Sequence, residues 1–423
     1  MNRSSIWALA ALSAACLSAC GGGGSSTADA SLTSTSSGTI STDATAAKSS
    51  NAKSSNGSST TTTTSSSGST SGSTTTTSGS TGTSTTSTDT STTTSTSTST
   101  STGTTSGSTT TTTSTTSGTV YGNLKGATLG VGGSLNGAVP FPVDNAWNTD
   151  ISQAEVDPNS AAIINSIGAG TGLHPDFGAG LYDGAPIGIP YVVVSGTQAK
   201  VAITYTAYGD ESDPGPFPIP MTAPIEGGSA GTGDRHVLVI DRDNNRLYEI
   251  GYAFPKTSYW TADAGAVFHA DSNDVRPTAQ AGWTSADAAG LPIFPGLVRY
   301  DEASLGPGGI KHALRFTVNA SRKAYVPPAT HWASSNTSTS LAPMGMRVRL
   351  KASYVIPSTF SKETRAILTA LKTYGMIVAD NGSNWFMSGA PDDRWNNDAI
   401  GSELAQVKGS NFEVVKMTGL VTP

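Results

Sequence analysis

His236-Val237-Leu238-Val239-Ile240, then Asp241-Arg242-Asp243-Asn244-Asn245, then Arg246-Leu247-Tyr248-Glu249-Ile250-Gly251-Tyr252: this stretch decides the fold class. Two runs rich in β-branched, aromatic and other apolar residues flank a polar cluster that favours turns, so they read as strands joined by a hairpin loop. Outward from it the same grammar recurs at 191–194, 200–208, 311–318, 346–354 and 376–379, with Asp380-Asn381-Gly382 read as a further turn. Helices are few. Asp157-Pro158 opens a short one through Ile167, with proline in the first turn, where its missing N–H costs nothing. Residues 361–374 make the clearest helix: a Ser361 cap, Glu363 in the first turn, Ile367 and Leu371 one turn apart, and Gly375 as a stop. Residues 398–407 suggest a third. There is no regular strand–helix alternation and no blade repeat. Residues 119–423 are therefore expected to form one mostly β domain, a β-sandwich or jelly-roll-like body with a few peripheral helices.

The rest of the chain is a different polymer. All 22 prolines and all five histidines of the 423 residues lie beyond residue 118. Between 59 and 118, every residue but eight is Ser or Thr. A segment so poor in apolar surface cannot offset its chain entropy, so 21–118 is expected to be a disordered Ser/Thr-rich linker. Three basic residues (Arg3, Lys48, Lys53) and three acidic ones (Asp29, Asp43, Asp89) precede residue 119, so the net charge of −6 belongs wholly to the remainder. An acidic balance without a Lys/Arg stripe argues against a nucleic-acid partner. Both cysteines, Cys16 and Cys20, lie near the start, which leaves residues 119–423 without a disulfide or a catalytic thiol. No His-x-His or His-Glu-x-x-His spacing occurs, so neither a metal nor another cofactor is expected.

Met1 to Cys20 has a basic start at Arg3, an apolar run over 6–12 and the ending Leu17-Ser18-Ala19-Cys20. That ending resembles a bacterial lipobox. The resemblance implies a lipoprotein signal peptide over 1–20, acylation of Cys20 and a membrane contact through the lipid. Gly21 follows the cysteine rather than the Asp linked to inner-membrane retention, which by the same resemblance favours the outer membrane or cell surface.

Acidic residues of the domain gather in Gly/Pro-rich loops beside aromatics. Glu211 and Asp213 precede Pro214-Gly215-Pro216-Phe217, Glu226 lies in Pro224-Ile225-Glu226-Gly227-Gly228, and Asp287 ends Trp283-Thr284-Ser285-Ala286-Asp287. Glycoside hydrolysis needs one carboxyl to protonate the leaving oxygen and a second to attack or to activate water. Glu211, Asp213, Glu226 and Asp287 are the candidates, with His236 as a catalytic partner. Arg235, Trp283, His331 and Trp332 are the candidate substrate-binding residues, because indole faces stack on sugar rings. The plainer reading stands beside each: loop acids usually bond only the backbone, and a histidine in an apolar strand is usually a core residue. His312, sharing a strand face with Leu314 and Phe316, is expected in the core. Gly227-Gly228-Ser229-Ala230-Gly231 lacks the strand–turn–helix context of a nucleophile elbow. Asp241-x-Asp243-x-Asn245 is followed by Arg246 where a calcium loop requires Gly.

Signal, hydroxyl-rich linker and large aromatic-bearing domain together resemble the layout of secreted polysaccharide-degrading enzymes. The favoured expectation is a surface-anchored carbohydrate-active enzyme, a glycoside hydrolase acting on an extracellular polysaccharide. Two alternatives remain open: a non-catalytic glycan-binding or adhesin-like lipoprotein, and a polysaccharide lyase using His236, His312 or Tyr300 with Arg315.

Overall fold

The computed structural model describes residues 118–423. The expected signal peptide, the acylation site Cys20 and all but the last residue of the expected linker lie outside the described residues. Three sheets carry the architecture. In chain order their strands are β1 (Gly130–Val131), β2 (His174–Asp176), β3 (Tyr191–Val194), β4 (Ala202–Tyr205), β5 (Val237–Asp241), β6 (Arg246–Gly251), β7 (Phe254–Pro255) and β8 (Tyr259–Ala262). Then follow β9 (Ala264–His269), β10 (Leu314–Val318), β11 (Arg347–Leu350), β12 (Met376–Asn381), β13 (Phe386–Ser388) and β14 (Phe412–Val414). A five-stranded sheet has the order β9-β6-β5-β3-β1, a six-stranded one β14-β11-β12-β10-β13-β2, and a three-stranded one β7-β8-β4. The domain is strand-rich as expected, and its sheets mix both directions: β5 pairs antiparallel with β6 but parallel with β3, and β10 runs parallel to β12.

The opening hairpin explains the core. Every residue of β5 is buried. Leu238 and Ile240 enter a main core shared with the six-stranded sheet and the helices, whereas Val237 and Val239 pack with Phe217, Ile219 and Trp260 in a second, smaller core against the three-stranded sheet. A strand covered on both faces has no polar side to alternate with, which is why the run is apolar throughout. Each such Val, Leu or Ile contributes about 1.5–3 kcal/mol by leaving water.

One irregularity interrupts the six-stranded sheet. Along β10 and β12, Phe316 pairs with Val378 but Thr317 pairs with Asp380, so Ala379 is an extra, bulged residue. The strand extends through Asn381 where a turn is expected from Asp380-Asn381-Gly382. Side chains alternate faces, so the extra residue moves Asp380 onto the face of Arg315 and Thr317; straight pairing would leave it on the face of Phe316.

The helices α1 (Ser160–Ile167), α2 (Tyr300–Ala303), α3 (Lys362–Thr373) and α4 (Asn397–Leu404) are short and peripheral in the sequence sense. At the start of α3 the Ser361 hydroxyl accepts from the Thr364 N–H at 3.2 Å and donates to Glu403 of α4 at 2.7 Å. Gly375 follows the helix at φ +68°, and a Cβ there would meet the Val348 carbonyl oxygen at 2.3 Å, so only glycine closes this turn. Ser361→Ala removes the cap and the link to α4, and should cost about 1–2 kcal/mol in urea unfolding. Lys362→Ala, one residue on, should change stability by less than about 0.5 kcal/mol.

Candidate functional site

Residues 283–298 form an irregular segment tied to both large sheets. Its backbone groups have almost no ladder of their own, apart from a single bridge between Val298 and Gly389. Side chains take the place of a neighbouring strand. Glu249 of β6, fully buried, accepts the Ile293 and Phe294 N–H groups at 2.8 and 2.9 Å. His236, at the head of β5, holds the Ala286 carbonyl through Nε2 at 2.9 Å. Glu211 accepts the Thr284 N–H at 2.8 Å. From the other sheet, Arg315 of β10 reaches Asp287 at 3.3 Å and the Ser388 hydroxyl at 2.6 Å. The carbonyl of the bulged Ala379 accepts the Ala289 N–H at 3.0 Å.

Around this segment charges converge. Asp287, Arg315 and His236 are buried and form a floor. Glu226 and Asp380 are half-buried and Asp234 is exposed, so these three carboxyls line the solvent side. Aromatics adjoin them. The Thr330 N–H bonds the Ala289 carbonyl at 3.0 Å, and His331 Nδ1 holds the Ala288 carbonyl at 2.7 Å. Asn381 donates to the Ala333 carbonyl at 2.8 Å. These contacts set His331 and the half-buried Trp332 beside the Asp287 loop and Asp380, with Trp283 on the same loop.

The carboxyls differ in their affinity for protons. Burial pushes Asp380 up to about 7, reinforced by the negative charges of Asp287 and Asp234 and opposed by Arg315. Burial likewise raises Asp287 against the pull of Arg315. Glu249 rises to about 7 through burial, although its two N–H donors oppose the shift. Burial also disfavours the charge of Glu226, but His236, whose Nδ1 lies 2.6 Å from Oε2, outweighs it and holds the carboxyl below its usual range. For His236 burial opposes protonation, yet Glu226 raises it to about 10. Both ring nitrogens face acceptors, a carboxylate and a carbonyl, so both carry protons.

The candidates named from the sequence therefore part ways. Glu226 and Asp287 come together, and Trp283, His331 and Trp332 adjoin the Asp287 loop, the Trp283 ring facing Arg276 at 5.6 Å and the Trp332 ring packing on Tyr325 at 5.7 Å. Asp287, 0% exposed, lies behind the solvent-facing carboxyls and out of a substrate's reach. His236 is an imidazolium with no free nitrogen, so it positions Glu226 and is not a general base. Asp213 is spent on structure: it accepts from Val267 N–H at 2.8 Å, from Arg276 at 3.1 Å and from the Thr278 hydroxyl. Glu211 is pinned to Thr284. Arg235, 1% exposed as a residue, turns its guanidinium to the carbonyls of Ala253, Gly228, Ser229 and Gly231. The lyase set is dispersed: His312 is buried beside Glu302 and Arg299, away from His236. Asp380 and Glu249 were not among the candidates. A charged residue within the apolar 246–252 run was a visible signal for Glu249, whereas Asp380 was hidden in a turn-like Asp-Asn-Gly. No family model, curated protein or solved structure matches the chain.

Two outcomes follow from these contacts. Asp213→Ala strands the buried guanidinium of Arg276 and should cost about 3–5 kcal/mol in urea unfolding, because a buried charge loses its partner. The His236 imidazolium, bound more tightly in the folded chain than at the ordinary imidazole value of about 6.5, stabilises fully below that pH. Its contribution falls as pH rises and is gone above about 10. Glu226, held low, contributes in the opposite sense: present at neutral pH and lost in acid. Stability measured from pH 6 to 11 should decline along this course, and His236→Gln should flatten it.

Proposed function

We propose that this chain is a carbohydrate-active enzyme, a glycoside hydrolase working through Asp380 and Glu226. One observation carries the reading: two solvent-reaching carboxyls of one charged cluster are driven in opposite directions, Asp380 up to about 7 and Glu226 below its usual range. Such divergence is how one site holds both an acid and a base at neutral pH. Asp380 keeps a proton for the leaving glycosidic oxygen. Glu226 stays ionised, with Oε2 engaged by His236 and Oε1 available to attack the anomeric carbon or to deprotonate a water. Trp283, His331 and Trp332 provide the stacking and hydrogen-bonding surface that a polysaccharide requires. Asp287 and Arg315 act from below, tuning Asp380. The lipobox-like Cys20 and the Ser/Thr-rich stretch support anchorage at the outer membrane or cell surface, facing an extracellular polymer.

The test is reducing-end release from a panel of polysaccharides by the full chain, with ultraviolet absorbance to detect unsaturated products. On the polymer that is cut, kcat/KM should fall on the alkaline side with a midpoint of about 7, the proton of Asp380. Asp380→Asn should lower kcat by about 10²–10⁴-fold and leave unfolding in urea unchanged. Unsaturated ends would favour the lyase, and binding without any product would favour an adhesin.

A further inference from the structure

A cavity of about 170 Å³ is lined by Ser152, Gln153, Arg349, Leu350, Ala352 and Lys372. It shares no residue with the carboxyl cluster. A single water takes roughly 10–15 Å³ of such space, so there is room for a small polyatomic ion and its waters. The lining is rich in donors. Arg349, 8% exposed, gives Nε to Glu413 at 2.8 Å and Nη1 to the Ile151 carbonyl at 2.5 Å. Its remaining nitrogen, Nη2, has no acceptor among the described residues. Lys372, in the last turn of α3, gives one of its three N–H donors to the Ala352 carbonyl at 2.9 Å and has no ion pair among the described residues. The Ser152 hydroxyl and the Gln153 amide make no hydrogen bond among them either.

No carboxylate lines the cavity. The acids beside it are already engaged: Glu413 on Arg349 Nε, and Asp150, whose Oδ1 accepts the Ser152 N–H at 2.8 Å. Glu413 pairs with Arg349, and the Lys372 ammonium has no ion-pair partner among the described residues. Free N–H donors of a guanidinium and an ammonium, with a hydroxyl and an amide alongside, are the complement of a tetrahedral oxyanion, whose oxygens only accept.

We propose that this cavity binds a phosphate or sulfate group, either as the free ion or as an ester on a saccharide. The probes are inorganic phosphate, inorganic sulfate and glucose 6-phosphate, titrated by calorimetry into the full chain, with chloride at matched ionic strength as the control. Saturable binding of one equivalent is expected, absent with chloride. Lys372→Gln should weaken it by about tenfold or more, and Ser152→Ala by a smaller factor, because a charge-assisted contact outweighs a neutral one. Arg349 is left intact, since it also holds Ile151 and Glu413. Tighter binding of glucose 6-phosphate than of phosphate would identify an ester as the ligand, and equal or weaker binding the free ion. The proposal is overturned if no oxyanion saturates the chain, if chloride competes equally, or if Lys372→Gln binds as the unaltered chain does. Each readout is independent of glycan cleavage.

Discussion

The buried ion pair between Arg315 and Asp287 is the contact on which the two large sheets depend. It joins the six-stranded sheet to an irregular segment that would otherwise bring unsatisfied amides and carbonyls into the core. Buried backbone polar groups need partners, and a segment without a ladder must find them elsewhere. Here they come from Glu249, His236 and Glu211 on one side and from the Ala379 carbonyl of the six-stranded sheet on the other, while Arg315 holds the Asp287 carboxyl. Charges are costly to bury: the buried cations around this segment each meet a carboxylate, whereas Glu249 meets only two N–H donors and burial raises it to about 7. Glu226 answers His236, Asp213 answers Arg276 and Asp287 answers Arg315.

That arrangement also accounts for the electrostatics at the solvent side. The carboxyls outnumber the two central cations, His236 and Arg315. His236 serves Glu226 at short range, whereas Asp380 shares Arg315 with Asp287. The carboxyl with its own partner stays ionised, and the one that shares holds its proton. A difference in proton affinity thus arises from how few cations the core can accept.

Much of the fold was legible in the chain. The 236–252 hairpin, the strand at 191–194 and the helix capped by Ser361 each rest on local rules of patterning, turn chemistry or capping, and each formed. The mixed strand directions were not legible, because a short apolar run reads the same in a parallel or an antiparallel ladder. At the candidate site, the acid-and-aromatic loops named Glu226 and Asp287, which the fold brings to the same charged cluster, and Trp283, His331 and Trp332, which lie along the Asp287 loop. Glu211 and Asp213 matched the same pattern, yet their carboxylates bond backbone and Arg276 across long separations in sequence, and no local rule encodes that. His236 misled because its protonation depends on Glu226 and on the Ala286 carbonyl, one approaching each ring nitrogen.

The bulge at Ala379 couples two things that a straight strand would keep apart. With Ala379 set aside as the bulge, Asp380 falls opposite Thr317, and the Ala379 carbonyl accepts the Ala289 N–H of the Asp287 loop. Shortening β12 by that one residue would leave Asp380 pointing the same way and let the loop beneath it go. The acid's direction and the acid's environment are therefore separable by a single deletion, which makes this strand a natural place for length variation, and not side-chain identity, to retune the proton affinity of Asp380.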